Sequence, residues 1–147
     1  FTPGNSQPHL NNSYQDATVA RLYTAAYYIR NNAYGIPSLY RSSLKSSGGN
    51  TAALDAQELV EGVDTMQVLY GEDTTGDGIV NQYKKASAVT DWSRVLTLRI
   101  GLLVRSSGTV PGDKPSSYTV LDQTITPNDD RLRRLFSTTI ALRNKTL

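Results

Sequence analysis

"VLTLRIGLLVR", residues 95–105, is the stretch of sequence that decides the fold of this chain. Aliphatic side chains occupy every second position along it, so an extended backbone places them all on one face. These positions are Leu96, Leu98, Ile100, Leu102 and Val104. The opposite face is mixed and carries Thr97, Arg99, Gly101 and Arg105 beside Val95 and Leu103. The pattern predicts a central β-strand whose aliphatic face is turned towards the core.

Other extended segments surround this strand and are separated by polar or glycine-containing loops. They are "ARLYTAAYYIRNN" (20–32), "IPSLYR" (36–41), "VDTMQVLYG" (63–71), "IVNQYKKA" (79–86), "YTVLDQTI" (118–125) and "RLRRLFSTTIALRN" (131–144). Roughly five to seven strands joined by short loops indicate an antiparallel sheet with one face that needs cover. We expect either a second small sheet or an N-terminal helix to supply that cover.

Two segments show helix signals, and two are typical of loops. "LDAQELVEG" (54–62) predicts one or two helical turns, since Asp55 can cap and Glu58 can reach back to it. "SAVTDWSR" (87–94) predicts another turn, with Ser87 as N-cap. Loops are expected at 42–50 and over residues 1–18, which are rich in Pro, Gly, Asn and Ser.

Composition indicates one domain and argues against several classes of function. A chain of 147 residues is about one domain long. The net charge of +2 argues against a dedicated nucleic-acid or membrane-surface protein. The absence of cysteine excludes disulfides and thiolate metal sites. A single histidine, His9, argues against a histidine-based zinc site or a Ser-His-Asp triad.

The stretch "GEDTTGDGIVNQY", residues 71–83, partly fits a calcium-binding loop. In the EF-hand template, Asp73 takes position 1, Asp77 position 5 and Asn81 position 9. Gly78 takes the glycine position, and Ile79 can offer its carbonyl oxygen at position 7. The candidate metal ligands are Asp73, Thr75, Asp77, Ile79 and Asn81.

The same stretch also reads as a simple hairpin loop. Asp77-Gly78 is a strong turn signal between two extended segments. Thr75 is a poor ligand at position 3, and Lys84 stands where the template requires a bidentate glutamate. The turn interpretation is therefore favoured, no cofactor is expected to be required, and any calcium binding is expected to be weak, in the sub-millimolar to millimolar range.

Three further features have a structural and a functional interpretation. Five of the nine tyrosines are concentrated early in the chain and could form a stacking platform for sugars or bases, although such tyrosines more often pack on half-buried strands. They are Tyr23, Tyr27, Tyr28, Tyr34 and Tyr40. The "RLRR" run (131–134) could contact nucleic-acid phosphates, but a solvated strand entry is favoured. Asp129 and Asp130 are expected to be turn residues.

An ordered set of these segments resembles the C-terminal part of the PilW family of minor pilins, which is similar to the minor pseudopilin GspJ of type II secretion. The set comprises "LVEGV" (59–63), "YG" (70–71) before the Asp/Gly loop, "DW" (91–92), "LLVRS" (102–106) and "FSTTIALRN" (136–144). "AYYIRNN" and "SLYR" upstream also fit. Relatives often carry an acidic residue where this chain has Thr75, which argues against a metal role.

The resemblance implies an α+β, pilin-like fold, in which a long N-terminal helix packs on an antiparallel sheet. Residues 1–147 would form a single periplasmic domain, and the leader and membrane-embedded half of the helix would lie upstream of Phe1. Contact with the membrane would then occur only through that helix. The expected location is the periplasmic side of the bacterial inner membrane and the pilus fibre on the cell surface.

The resemblance further implies a structural protein and not an enzyme. Its partners would be other minor pilins, the major pilin and a tip adhesin, and no specific nucleic acid is expected. The expected function is to prime type IV pilus assembly within a minor-pilin complex near the fibre tip, in support of twitching motility, adhesion or DNA uptake. The alternative is a calcium-dependent or tyrosine-lined adhesin module that binds sugar or nucleic acid.

Overall fold

The structure is a computed structural model and describes residues 23–46, 52–112 and 116–143. Nine strands and two short 3-10 helices lie within these ranges. The strands are β1 (Ala25–Asn31), β2 (Pro37–Ser46), β3 (Ala52–Glu61), β4 (Val63–Glu72), β5 (Gln82–Lys84), β6 (Val95–Thr109), β7 (Tyr118–Val120), β8 (Gln123–Ile125) and β9 (Arg131–Ala141). The helical turns are Ala86–Ala88 and Trp92–Arg94. The predicted antiparallel, β-rich architecture is confirmed.

The strand β6 lies at the centre of a four-stranded sheet, called the central sheet below, in the order β5, β4, β6, β9. Its pairings with β4 and β9 place Leu102 opposite both Met66 and Phe136. The prediction that residues 95–105 form the central strand is therefore confirmed.

One face of the central sheet, called the hairpin face below, is covered by the small hairpin of β7 and β8. Leu103 of β6 and Val120 of the hairpin are both 0% exposed. The hairpin approaches so closely that a Cβ atom on Gly101 would lie 2.9 Å from side-chain atoms of Val120 and Leu121. Glycine at this position therefore allows the two layers to come into contact.

The opposite face, called the open face below, carries the aliphatic positions that the sequence pattern predicts to be turned inward. Its apolar members are Met66, Val68, Tyr70, Leu98, Ile100, Leu102, Val104, Phe136 and Ile140. Those on β4 and β6 are half-buried, while Phe136 and Ile140 on β9 are 49% and 45% exposed. Among the described residues, the fully buried positions of β6 thus lie on the face opposite to the predicted one, because the hairpin packs there.

A second sheet contains β1, β2 and β3 in that order and joins the central sheet at Gly62. The Gly62 N–H donates to the carbonyl oxygen of Pro37 at 2.9 Å, and its own carbonyl accepts from the Arg105 N–H at 2.8 Å. Gly62 has a φ of +79°, a left-handed conformation that favours glycine. The next residue, Val63, is 1% exposed, so the chain enters the central sheet through a buried junction.

The helix predicted over residues 54–62 is wrong, because this segment belongs to β3. It pairs with β2 from Ala52 to Glu61, with a register shift beside Tyr40. An isolated helix of one or two turns is only marginally stable, so the pairing of nine residues of β3 with β2 outweighs the local capping signal. Glu58 accepts a hydrogen bond from the Tyr40 hydroxyl across the sheet and does not serve a capping box.

Three smaller predictions also need correction. Ser87 lies inside the first 3-10 turn and is not its cap, whereas Asp91 caps the second turn by accepting from the Ser93 N–H at 2.8 Å. Residues 118–125 form a two-stranded hairpin and not one strand, because the chain turns at Leu121, whose φ is 55°. Residues 42–46, predicted as loop, continue β2 opposite β3.

The predicted loop over residues 1–18 lies outside the described residues. Across the ranges that the structure does describe, no helix has both the length and the apolar character to span a membrane.

Candidate functional site

The Asp/Gly loop between β4 and β5 is organised around Asp73, which is 5% exposed. One carboxylate oxygen of Asp73 accepts from the N–H groups of Thr75 at 3.0 Å and Gly76 at 2.6 Å. The other oxygen accepts from the Gly78 N–H at 2.8 Å. Burial raises the pKa of Asp73, but the hydrogen bonds from Gly78, Gly76 and Thr75 together outweigh this effect and lower it.

Three of the remaining candidate ligands, Asn81, Thr75 and Asp77, also make hydrogen bonds within the loop. The Asn81 side-chain oxygen accepts from the Thr74 N–H at 2.7 Å, and the Thr75 hydroxyl donates to Asp73 at 3.2 Å. Asp77 accepts from the Ile79 N–H at 3.0 Å in a local turn. Ile79 is 64% exposed at the loop tip.

This geometry favours the hairpin-loop interpretation, since the carboxylate oxygens of Asp73 already bind N–H groups of the loop. No group of three or more Asp, Glu, His or Cys residues with metal-site geometry occurs within the described ranges. Calcium binding by the five candidate residues stays a prediction, and a bound ion would have to compete with the hydrogen bonds that Asp73 makes.

Glu72, just before this loop, is the centre of a buried polar network that sequence reasoning missed. Its side chain is 1% exposed and forms a 2.7 Å ion pair with Lys84 on β5. It also accepts from the N–H groups of Thr90 at 3.1 Å and Asp91 at 2.7 Å. The hydrogen bond from Lys84, followed by that from Thr90, lowers the pKa of Glu72 to about 2, against the opposing effect of burial.

The Glu72 network fixes the turn containing Trp92 against the end of the open face. The Trp92 ring contacts Tyr70 edge-on, with ring centroids 4.8 Å apart. The Asp73 N–H donates to the carbonyl oxygen of Arg94 at 3.0 Å, which joins the Asp/Gly loop to the same turn. Lys84 therefore has a structural role as the partner of Glu72. It stands at the position where the EF-hand template requires a glutamate.

The "RLRR" run does not form a free basic patch. Arg133, whose side chain is 5% exposed, forms ion pairs with Asp64 at 2.7 Å and with Asp129 at 2.5 Å. Arg131 donates to the backbone carbonyl of Ser106 at 3.0 Å. The guanidinium of Arg134 lies 5.5 Å from the ring centroid of Phe136.

The expectation of a solvated strand entry therefore holds for Arg134 and is wrong for Arg133. The hydrogen bonds from Arg133 lower the pKa of Asp129 to about 2. Asp130 lies in the turn before β9 and accepts the Val110 N–H at its backbone carbonyl at 2.7 Å.

The early tyrosines do not form one platform. Tyr28 and Tyr40 stack with ring centroids 5.8 Å apart, and Tyr40 is 5% exposed beneath Arg30. Tyr27 points to the opposite face of β1 and is 53% exposed. Tyr34 lies in the turn between β1 and β2 and is 85% exposed. Tyr23 precedes β1.

Comparison with known families gives the context for these features. The model of the family PilW, Type IV Pilus-assembly protein W, matches residues 26–144. The chain belongs to the PilW family. No curated protein and no solved structure matches it. The PilW match begins within β1 and extends past β9, so both sheets and the β7–β8 hairpin lie inside it.

Membership in PilW confirms the resemblance carried by the ordered segments from "LVEGV" to "FSTTIALRN". It connects the chain with type IV pilus assembly and hence with other components of the pilus. The structure brings three of these segments into contact, since "YG", the Asp/Gly loop and "DW" are joined through Glu72 and Trp92.

Proposed function

We propose that the chain is the globular part of a minor pilin with a structural, non-enzymatic role. It helps to prime type IV pilus assembly within a complex of minor pilins near the fibre tip. Its partners are other minor pilins, the major pilin and a tip adhesin. In this proposal the protein resides on the periplasmic side of the inner membrane and in the pilus fibre.

The PilW match over residues 26–144 is the observation that carries this proposal. The open face of the central sheet supports it, because its apolar side chains are half-buried or exposed and can be covered further by another element. In a pilin-like α+β fold, a helix that precedes β1 would pack on this face. That helix would also provide the contact with the membrane.

The buried ionic groups support a structural role. Glu72 is paired with Lys84, and Arg133 is paired with Asp64 and Asp129. Each network joins separate segments of the chain: Glu72 holds the Trp92 turn, and Arg133 connects β9 to the start of β4. Charges that are satisfied in this way stabilise the architecture and are not free for proton transfer.

Deletion of the gene tests the proposal directly. We expect cells without it to carry markedly fewer pili in electron micrographs, and we expect the wild-type gene to restore them. The tagged full-length protein should also bind purified minor pilins of the same pilus. Normal piliation after deletion, together with no binding to any of these pilins, would refute the proposed function.

A further inference from the structure

The outer edge of β9 is an uncharged strand edge with exposed side chains. β9 is the last strand of the central sheet among the described residues, and it pairs only with β6. Residues 135–141 contain no charged residue and no proline, and all of them are exposed. An edge of this length with free backbone groups is a ready template for another strand.

The direction of the backbone groups follows from one hydrogen bond. The Leu142 N–H donates to the Leu96 carbonyl oxygen at 2.8 Å, so the backbone groups of Leu142 point towards β6. In an antiparallel pair, successive residues alternate between inward and outward groups. The pairing of β9 is continuous from Arg133 to Ala141. The N–H and C=O groups that point away from β6 therefore belong to Leu135, Ser137, Thr139 and Ala141.

The other outer edges of the central sheet and of the β1–β3 sheet carry features that discourage pairing. β3 bears charged side chains at Asp55, Glu58 and Glu61, and β5 is only three residues long and is followed by Lys85. β1 is shorter than β9 and carries Arg30. Charges and short length are the usual protection against strand addition. The β9 edge has neither along residues 135–141.

We propose that the β9 edge binds an extended strand of a different pilus subunit, which pairs with the outward groups of Leu135, Ser137, Thr139 and Ala141. The inference rests on the proposed function for the class of partner. The incoming strand spans about seven residues and makes main-chain hydrogen bonds like those between β6 and β9. It extends the central sheet by one strand.

The side chains of β9 define the chemistry of the incoming strand. Phe136 and Ile140 lie on the open face, so the partner strand carries apolar residues on that side. Ser137 and Thr139 lie on the hairpin face, where small polar residues fit. Arg134, which is exposed, precedes the uncharged stretch, which favours an acidic residue at that end of the partner strand.

A second copy of this chain is a poorer partner. In a fully overlapping antiparallel pair of two β9 strands, Leu135 of one copy would lie opposite Ala141 of the other. Arg133 of each copy would then lie directly opposite Arg143 of the other at both ends. Like charges directly opposite each other on neighbouring strands are destabilising, so a strand of a different subunit is the better match.

Amide hydrogen exchange read at single-residue resolution tests the inference on the full-length protein. The other pilin subunits of the same pilus are purified and added one at a time. We expect one of them to slow exchange at Ser137, Thr139 and Ala141 at least about tenfold, since paired edge amides gain protection. The amides of Phe136, Thr138 and Ile140, already bonded to β6, should change much less.

Two variants test the role of the edge itself. Thr139→Lys places a charge on it, and we expect it to weaken binding of that subunit at least about tenfold. Ser137→Pro removes one outward N–H without removing a bond to β6 and should act in the same direction. Ala56→Lys, an exposed change on β3, is the matched control and should leave binding unchanged. Circular dichroism melts identify a variant that fails to fold. In that case, binding by the other variant tests the inference.

The remaining outcomes separate this inference from the proposed function. Binding of a pilin without protection of residues 135–141 overturns the inference and leaves the proposed function intact. Failure to bind any pilin overturns the inference, and only together with normal piliation after deletion of the gene does it refute the proposed function as well. Protection in the isolated protein that rises with its concentration shows a second copy on the edge, and protection independent of concentration shows another segment of the same chain. Either result overturns the proposal of a different subunit.

Discussion

The two faces of the central sheet differ in how completely other parts of the chain bury their side chains. On the hairpin face, Leu103 and Val120 are completely buried, and Gly101 is in contact with the β7–β8 hairpin. On the open face, Phe136 and Ile140 are about half exposed and the other apolar residues are half-buried. The hairpin face is therefore buried by the chain itself, whereas the open face is suited to contact with another element.

The largest difference between the faces should appear in core truncations. We expect Leu103→Ala on the hairpin face to reduce the free energy of unfolding by about 3 kcal/mol, since it removes a fully buried side chain. Ile140→Ala on the open face should cost less than about 1 kcal/mol, because that side chain is 45% exposed. Urea denaturation of both variants measures the two values. Equal losses would remove the distinction between the faces.

The arginines at the start of β9 provide a second, smaller contrast. We expect Arg133→Met to cost about 2 kcal/mol, because it leaves Asp64 and Asp129 without their shared partner. Arg134→Met, at an exposed position on the open face, should cost less than about 0.5 kcal/mol. Denaturant titration at pH 7 tests the pair. A loss for Arg134→Met as large as that for Arg133→Met would contradict the assigned roles.

The Glu72 network allows a test by pH. The pKa of Glu72 falls from 4.5 to about 2 on folding, so its contribution to stability is complete above pH 4.5 and is lost as the pH falls towards 2. We expect Glu72→Gln to lower the melting temperature at pH 7 and to flatten the decline in stability between these pH values. Glu61→Gln, at an exposed position, is the control. An unchanged acid profile in Glu72→Gln would show that another carboxylate controls it.

Calcium should have the smallest effect, because the Asp/Gly loop is already closed by hydrogen bonds within the chain. We expect isothermal titration with Ca²⁺ to show at most weak binding, in the sub-millimolar to millimolar range. The double change Asp73→Ala and Asp77→Ala should abolish it. Binding that persists in this double variant would mean that the ion lies elsewhere. Tight binding by the wild-type protein would show that the loop rearranges around the metal.

Much of the strand pattern could be predicted from the sequence, because period-two alternation depends only on backbone geometry. It correctly located β4, β6 and β9. The helix predicted at 54–62 failed because pairing with β2, a long-range effect, outweighed a local capping signal. The buried face of β6 depended on Gly101, whose missing side chain admits the hairpin, and a hydrophobicity pattern does not detect this.

The candidate site was predictable only in part. The Asp77-Gly78 turn follows from local residue preferences, and the structure has this loop between β4 and β5. Glu72 was missed because its partners Lys84, Thr90 and Asp91 follow it at distances that no local motif specifies. The role of Arg133 was hidden for the same reason, since Asp64 lies 69 residues away in the chain.

This separation of Asp64 from Arg133 has a consequence for the order in which the chain is made. Synthesis proceeds from the N-terminus, so β4 and β6 can pair before β9 exists. During that interval β6, the most aliphatic strand, is itself the sheet edge, and Asp64 lacks one of its arginine partners. Arrival of residues 131–141 replaces this aliphatic edge by a strand that carries three arginines, one serine and two threonines. We expect a truncated chain that lacks this segment to aggregate more readily than the full chain.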